Sequence, residues 1–358
     1  MITEIVKITD LEKQENDISR AAALLRDGGL VVIPTETVYG LGGDGTNPLS
    51  AQKIYAAKGR PSDNPLIIHI AYPEDAEKYA FTSPIYYKLA KAFMPGPLTV
   101  ILPKKDTIPY QTTGGLDSVA VRCPSHPIAH EIIKNAKTPI AAPSANISGR
   151  PSATEVDYVI EDFDGKVDMI IDGGKCEIGL ESTIVMITEK EGNEGLILLR
   201  PGAITFDALC CVCESVEISP SIEGALSENE RPLSPGMKYK HYAPSSSFVL
   251  IDGEDGDVID FLRAEQESKN CAILCYDEET ALLKNKLLLP IGKRDDLETQ
   301  GKMLFSRLRE CDAISPDIIY AHLPKKNGLG LALYNRMIRA AAHTVIKIEN
   351  NILTKGNK

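Results

Sequence analysis

Short apolar segments bounded by Pro, Gly or hydroxyl residues recur through the first half of this 358-residue chain. Apolar runs between turn residues predict buried strands, which fold only when other elements cover them. The segments are "LVVIP" (30–34), "PLIIHI" (65–70), "PLTVILP" (97–103), "VAVRCP" (119–124), "PIAAPS" (139–144), "MIIDGG" (169–174), "STIVMI" (182–187) and "LILLRPG" (196–202). Helical patterns at 18–29 and 47–59 lie among them. The sequence therefore predicts an α/β or α+β sheet domain.

The second of these helices, "NPLSAQKIYAAKG", carries complete boundary signals. Asn47 is an expected N-cap, Pro48 suits the first helical position, and Gly59 suits the residue after the helix. The helix is therefore predicted to end at Lys58, beside the loop that follows it.

The character of the chain changes at residues 214–247, which are rich in Ser, Pro, Gly and acidic residues and show little periodicity. Such a composition is typical of a linker, although "SPGMKYKHYAP" (234–244) contains cations and aromatic rings that a passive tether does not need. Beyond 247, strand and helix patterns alternate again, which predicts a small open parallel sheet. We predict a domain over 1–210, a linker or lid over 211–246, and a second domain over 247–358.

Composition excludes several classes of function. The formal net charge of −11 disfavours broad binding to nucleic acid or anionic membranes, so any anionic ligand needs a focused site. No apolar run is long enough to span a membrane, and the N-terminus lacks the pattern of a signal peptide. We therefore expect a cytoplasmic protein with no membrane partner. The eight cysteines show no metal-ligand spacing, so they are interpreted as structural and no metal site is predicted.

The stretch "KGRPSDNPLIIHI" (58–70) suggests an anion site. Lys58 and Arg60 follow a helix, where cations stabilise the exposed carbonyl groups, so helix capping alone could explain them. The neighbouring prolines stiffen the loop, however, and an ammonium group beside a guanidinium group suits polyphosphate or carboxylate. We therefore predict that these two cations bind an anion.

Two further loops carry hydroxyl and amide groups after predicted strands. "PTETVYGLGGDG" (34–45) contains Thr35 and Thr37, and "PIAAPSANISGRPSAT" (139–154) contains Ser144 and Asn146. The second loop also contains Ser152 and Thr154, which are expected to cap the following helix. Neither loop is a P-loop. Ligands of open α/β sheets lie beyond the strand ends, so we expect these groups at one rim of the sheet.

Single polar residues mark other strand ends. Arg122 ends one strand, Ser182 begins another, and Arg200 ends a third. Arg122 and Arg200 are therefore expected to join Lys58 and Arg60 in one pocket for an anion. His69 lies within a strand, where a hydrogen-bonded core role is more usual than metal ligation. No spacing favours a Ser-His-Asp or Cys-His arrangement, so covalent catalysis is not expected.

Together these stretches resemble the threonylcarbamoyl-AMP synthase family, the YrdC-like proteins, in its longer two-domain form. The matching pieces, spanning residues 15–205, are "PTETVYGLG", "KGRPSDNPLIIHI", "PGPLTVIL", "VAVRCP", "APSANISG", "GLESTIV" and "LRPG". The linker piece "SPGMKYKHYAP" and the later "GLGLALYNRMIRAA" are similar to the longer members. The resemblance implies a YrdC-like twisted sheet with helices, linked to a smaller Rossmann-like parallel-sheet domain.

The resemblance also implies a nucleotidyltransferase reaction. L-Threonine, bicarbonate or CO2, and ATP would give threonylcarbamoyl-AMP and pyrophosphate, and a downstream transferase would use the product to make threonylcarbamoyladenosine in tRNA. By the family pattern, the ATP-binding residues are Lys58, Arg60, Asn64, Ser144, Asn146, Ser152, Arg200 and Tyr242, of which Lys58 and Arg60 are also the catalytic cations. The threonine-binding residues are Thr35, Thr37, His69, Arg122 and Ser182. Mg²⁺ would be held mainly by phosphates and water, because the matched motifs contain few acids.

Two other interpretations remain open from the sequence. A concave basic cleft could bind RNA, but a chain with a charge of −11 and no basic stripe is expected to bind tRNA weakly or not at all. A carbamoyl-transfer maturation enzyme would share the first domain only, and its acylphosphatase and zinc-finger modules are absent from this sequence.

Overall fold

The computed structural model describes residues 2–190, 192–224, 232–234, 241–284, 287–349 and 352–355. The chain divides into two compact units, the first comprising Met1–Ser148 with Ser152–Tyr239 and the second comprising Gly149–Pro151 with Lys240–Lys358. Lys238, Tyr239 and Lys240, part of the cationic and aromatic linker motif, lie outside the described residues. Among the described residues, no helix has the length and apolar character needed to cross a membrane.

The first unit is built on one mixed sheet. Its strands are β1 (Glu4–Lys7), β2 (Val31–Ile33), β3 (Gly40–Asp44), β4 (Ile67–His69), β5 (Leu98–Pro103), β6 (Ser118–Arg122), β7 (Ile140–Ala141), β8 (Met169–Asp172), β9 (Thr183–Lys190), β10 (Asn193–Arg200) and β11 (Val216–Ile218). Their order across the sheet is β1-β8-β2-β3-β7-β4-β6-β5-β9-β10-β11. The short apolar runs of the central strands are buried, as the sequence pattern predicts.

Helices cover the sheet of the first unit. They are α1 (Glu15–Arg26), α2 (Pro48–Lys58), α3 (Pro84–Phe93), α4 (Pro127–Ala136), α5 (Val156–Phe163) and α6 (Phe206–Cys210). In α1, Ile18, Ala21, Ala22 and Leu25 recur at helical spacing and form one buried face. That face shares a hydrophobic core with α4 and with β2 and β8. The core therefore lies between these helices and one side of the sheet.

The predicted boundaries of α2 are confirmed. The Asn47 side chain accepts a hydrogen bond from the Leu49 N–H at 2.9 Å, and Pro48 is the first helical residue. Gly59 ends the helix in the left-handed conformation, with φ of 59°. Local sequence alone therefore fixes where Lys58 and Arg60 leave the helix.

The second unit contains a smaller sheet with the order β14-β13-β15-β12-β16-β17. The strands are β12 (Ser247–Asp252), β13 (Cys271–Cys275), β14 (Leu288–Pro290), β15 (Ile318–His322), β16 (Val345–Glu349) and β17 (Ile352–Lys355). The helices are α7 (Asp255–Ser268), α8 (Leu297–Ile314) and α9 (Gly330–Ala340). All pairings are parallel except β16 with β17, which confirms the predicted parallel-sheet character of this half.

Three sequence predictions need correction. The sequence pattern "ALYNRMIRAAAHTVI" (332–346) predicts a helix to residue 346, but α9 ends at Ala340, because Ala342 and His343 adopt positive φ and the chain then enters β16. Ser152 and Thr154 do not cap α5, whose N-cap is Glu155. The predicted linker is not wholly irregular, because β11 pairs with β10 at the edge of the first sheet.

Candidate active site

A row of polar side chains crosses neighbouring strands of the first sheet. The parallel pairing of β4 with β6 sets His69 opposite Arg122, and the antiparallel pairing of β6 with β5 sets Thr99 opposite Arg122. Farther along the row, Arg200 and Thr99 are both paired with Ile184 of β9. Residues in cross-strand register project from the same face of a sheet. The structure therefore brings His69, Arg122 and Arg200 to one face, although they are far apart in sequence.

Arg200 and Ser182 form a buried hydrogen-bonded cluster with Thr99. The Arg200 Nε donates to the Ser182 carbonyl oxygen at 3.0 Å, and its Nη2 donates to the Ser182 Oγ at 3.0 Å. The hydroxyl groups of Ser182 and Thr99 are 2.8 Å apart. The guanidinium therefore fixes both the backbone and the side chain of Ser182.

The loop after β2 contacts several of the other predicted segments. Thr35 Oγ1 accepts hydrogen bonds from the N–H groups of Thr37 and Val38, at 3.2 and 3.3 Å, which closes a tight turn. Tyr39 donates its N–H to the Ala153 carbonyl and accepts from the Ala145 N–H. The loop that contains Thr35 and Thr37 is thus bonded, through Tyr39, to the loop after β7.

Glu36 of the same loop forms a buried ion pair with Arg122. The Arg122 Nη2 lies 2.7 Å from the Glu36 Oε1, and both side chains are at least nine-tenths buried. The contact is thus a buried pair of opposite charges. Burial raises the pKa of Glu36, but the charge of Arg122 and hydrogen bonds to the carboxylate together outweigh burial, so the pKa is lowered overall. Glu36 is therefore an anion.

His69 is neutral at physiological pH. Burial, together with the charge of Arg122, lowers the pKa of its imidazole to about 3. Its Nδ1 lies 3.3 Å from the Ile140 carbonyl oxygen, which can only accept a hydrogen bond. Nδ1 therefore carries the proton, and Nε2 keeps a lone pair that can accept one.

Lys58 and the loop after β7 form a second cluster. The Lys58 Nζ donates to the carbonyl oxygens of Ser144 and Asn146, each at 2.5 Å. The Ser144 hydroxyl donates to the Asn146 Oδ1 at 2.6 Å. Lys58 is only 1% exposed, so its ammonium group lies within the loop and not in solvent. The structure therefore brings together three residues predicted to bind ATP.

Arg60 and Asn64 lie in the loop before β4. The Arg60 guanidinium donates to the carbonyl oxygens of Asn64 and Pro65, at 3.3 and 3.1 Å. The Asn64 Oδ1 is buried and has no hydrogen-bond partner among the described groups. Arg60 is thus oriented by carbonyl groups of its own loop.

The sequence predicts that these residues meet at one rim of the sheet, but the structure places them in two groups. Because β7 runs antiparallel to β4, Ser144 lies toward the amino end of β4, whereas His69 is at its carboxyl end. Loops connect the two groups: Ala145 bonds to Tyr39, and Ser152 donates to Glu181, the residue before Ser182, at 2.6 Å. The candidate site therefore spans both ends of β4.

Two family models match the chain. Residues 23–202 match the Sua5, YciO and YrdC family, described as "Telomere recombination". Residues 204–342 match the family described as "Threonylcarbamoyl-AMP synthase, C-terminal domain". The threonylcarbamoyl-AMP synthase of Pyrococcus abyssi is 42% identical over 344 residues, which are 94% of this chain and 97% of that protein. The chain belongs to the threonylcarbamoyl-AMP synthase family.

Other members support the same assignment. The threonylcarbamoyl-AMP synthase of Bacillus subtilis is 40% identical over 96% of this chain and 98% of its own length. The crystal structure of Pyrococcus abyssi Sua5 complexed with L-threonine matches with a TM-score of 0.86 and 39% identity, covering 98% of this chain and 100% of that chain. The resemblance to the family inferred from the motifs is thus confirmed.

Two acids in the family motifs were missed as functional residues by the sequence analysis. Glu36 lies within "PTETVYGLG" and pairs with Arg122, and Glu181 lies within "GLESTIV" and accepts from Ser152. Both are nearly fully buried, which is rare for an unpaired acid. Each acid lies between two segments that the sequence predicts to be buried, and this position was the signal that could have identified Glu36 and Glu181 as residues of the site.

Tyr242, which the resemblance predicts to bind ATP, belongs to the second unit. It is 1% exposed, has a positive φ of 62°, and stacks on Phe305 of α8 with ring centroids 5.1 Å apart. Its role toward ATP stays a prediction.

Proposed function

We propose that the chain condenses L-threonine, CO2 or bicarbonate, and ATP into threonylcarbamoyl-AMP and pyrophosphate. Membership of the threonylcarbamoyl-AMP synthase family supports this reaction. The observation that carries the assignment of the amino-acid subsite is the pair formed by neutral His69 and charged Arg122, side by side on β4 and β6. A guanidinium suits a carboxylate, and a neutral imidazole with a free lone pair accepts a hydrogen bond from a hydroxyl group.

The reaction needs no nucleophile from the protein. The threonine amine adds to CO2, which forms a carbamate and releases one proton. A carbamate oxygen then attacks the α-phosphorus, and the bond between the α-phosphorus and the bridging oxygen of pyrophosphate breaks. The threonine carboxylate, the carbamate and the triphosphate are all anionic. The protein therefore contributes positioning and charge stabilisation.

We assign the two ends of β4 to the two substrates. His69, Arg122 and Ser182 would receive threonine, with Thr35 and Thr37 beside them. The nucleotide would be held by Lys58, Arg60, Asn64, Ser144, Asn146 and Ser152 with Arg200. The loop after β2 bonds to the loop after β7, and so connects the two proposed subsites. This assignment follows the family pattern and the clusters described above.

We propose that Mg²⁺ binds with ATP, mainly through phosphate oxygens and water. The described residues contain no group of three His, Cys, Asp or Glu side chains able to hold a metal. The two buried acids of the site already have partners, since Glu36 pairs with Arg122 and Glu181 accepts from Ser152. Mg²⁺ would supply charge neutralisation on the phosphates. The product would pass to a transferase acting on tRNA, and a filter-binding titration is expected to show only weak tRNA affinity for this chain.

Pyrophosphate release tests the proposal directly. The chain is incubated with ATP, Mg²⁺, bicarbonate and, in separate reactions, threonine, serine or valine. Threonine should give the highest rate, and valine should be rejected by roughly a thousandfold or more, because it leaves the hydroxyl partners of the site unpaired. Amino-acid-independent release, or equal rates with valine and threonine, would contradict the assignment.

The nucleotide end is tested by Arg60→Ala. Loss of the guanidinium should lower pyrophosphate release by about a hundredfold or more, since one cation facing the triphosphate is removed. Arg20→Ala, which removes a surface ion pair with Glu4, is the matched control and should keep parental turnover. Circular dichroism checks that both variants fold. Unchanged turnover in folded Arg60→Ala would count against the role of Arg60.

A further inference from the structure

The ion pair between Glu36 and Arg122 gives Glu36 a role that the sequence motifs did not suggest. We propose that Glu36 is a positioning residue, which holds the Arg122 guanidinium in the orientation that receives the carboxylate of the amino-acid substrate. This inference rests on the proposed function, because that function places the amino acid at Arg122. It concerns a residue that does not itself touch the substrate.

The accessibility of the guanidinium nitrogens separates a held side from a free side. Nε and Nη2 of Arg122 are fully buried, and Nη2 faces the Glu36 carboxylate at 2.7 Å. Nη1 is the nitrogen that keeps access to solvent, within a side chain that is 6% exposed. Glu36 therefore lies on the buried side of the guanidinium, and Nη1 is the nitrogen left for a ligand. Both Glu36 oxygens are inaccessible to solvent, so a direct contact between Glu36 and a substrate is not expected.

The backbone around Glu36 is fixed before any ligand binds. The Ile178 N–H donates to the Glu36 carbonyl at 2.8 Å, and the Gly179 N–H donates to the Thr37 carbonyl at 3.1 Å. The turn closed by Thr35 fixes the loop on its other side. A carboxylate on a backbone held at both ends is a rigid support for a long, flexible arginine side chain.

Electrostatics favour the pair over either residue alone. A buried guanidinium without a counter-ion is strongly destabilised, and so is a buried carboxylate. With Glu36 in place, the buried charge of Arg122 is compensated in the apo protein, while the remaining hydrogen-bonding capacity of the guanidinium is kept for a ligand. The free edge of Arg122 is thus ready for a carboxylate before threonine arrives, which lowers the reorganisation needed on binding.

A double-mutant cycle in the full chain tests the inference. The variants are Glu36→Gln, Arg122→Gln and the double variant, each assayed for the threonine KM, the ATP KM and kcat of pyrophosphate release. Glu36→Gln should raise the threonine KM by about tenfold to a hundredfold and leave the ATP KM within about twofold. Glu131→Gln removes a surface carboxylate that pairs with Lys134 and is the matched control, with all three constants at parental values.

If Glu36 acts through Arg122, adding Glu36→Gln to Arg122→Gln should not change the threonine KM any further. The double variant should also be more stable than either single variant, because it removes both buried charges. If Glu36→Gln alone does not fold, the comparison of the double variant with Arg122→Gln still decides the inference through their threonine KM values. Glu36→Asp, which keeps the charge, should recover part of the threonine KM.

Several outcomes would overturn the inference. They are an unchanged or lowered threonine KM in Glu36→Gln, equal increases in both KM values, or a further loss of threonine affinity in the double variant relative to Arg122→Gln. Failure of the proposed function is distinguishable, since it would appear as absence of threonine-dependent pyrophosphate release in the parental chain.

Discussion

The neutral state of His69 makes a quantitative prediction about pH. Its pKa is about 3 in the folded chain and close to 6.5 in an unfolded one, so between these values the unfolded state binds a proton that the folded state rejects. Stability from this group is therefore fully present above pH 6.5 and decreases as the pH falls. From pH 7.5 to 5.0 the loss is about 2 kcal/mol in the free energy of unfolding.

This magnitude depends little on the folded-state pKa. At pH 5.0, any folded pKa below about 4 leaves His69 unprotonated, so the loss is set by the unfolded-state pKa. His69→Gln removes the titration but keeps an N–H donor for the Ile140 carbonyl. The variant should therefore lose about 2 kcal/mol less than the parental chain over this pH range, whatever its stability at pH 7.5.

Urea unfolding, followed by pulsed hydrogen exchange in a peptide that covers β4, reports on the first unit alone. His130→Gln, on the partly exposed face of α4 where the ring contacts Tyr72, is the control for the loss of a histidine that lies outside the candidate site. NMR of the imidazole nitrogens provides a second readout, in which the signals lost in His69→Gln should show Nδ1 protonated and no titration down to pH 5. Parallel loss of stability in His69→Gln and the parental chain, or a titration of His69 above pH 5, would refute the reasoning.

Two further predictions concern the support of Ser182. Thr99→Val removes a hydroxyl partner of Ser182, so it should lower the free energy of unfolding by about 1 kcal/mol and raise the threonine KM severalfold. The control is Thr112→Val, which removes a buried hydrogen bond to the Gly45 carbonyl. It should show the same loss of stability with no change in the threonine KM. Thermal melts and steady-state kinetics measure both, and equal KM values in the two variants would contradict a role for Thr99. Gly202→Ala should destabilise the chain by about 1–3 kcal/mol and raise the threonine KM, because a Cβ there would lie 2.6 Å from the Thr183 nitrogen. A Gly202→Ala variant with parental melting temperature and kinetics would show that this backbone can shift without cost.

Local signals were sufficient for much of the fold. Asn47, Pro48 and Gly59 define both ends of α2, because caps and turn residues act through bonds to their own backbone neighbours. The end of α9 was predicted wrongly because the sequence "HTVI" continues an acceptable helical pattern. Pairing with β12 makes that segment a strand, and a pairing partner so far along the chain leaves no local signal.

The candidate site shows the same division. The sequence identified the hydroxyl and cationic residues, because their types and positions beside strand ends match an anionic ligand and a known family. It did not identify Glu36 or Glu181, and it assigned Ser152 to a helix cap when its hydroxyl donates to Glu181, 29 residues away. The expectation of a single rim was wrong because the antiparallel pairing of β7 with β4 reverses the direction in which Ser144 lies.

The sequence by itself determined where strands and helices begin, which segments are buried, and which residue types are available for an anionic substrate. These properties depend on neighbours within a few positions, so periodicity and caps record them. Only the tertiary structure decided that Arg122 faces Glu36, that His69 is held neutral beside Arg122, and that Arg200 fixes Ser182. Each of these contacts depends on strand order and register, which the packing of the whole sheet sets and which no single segment encodes.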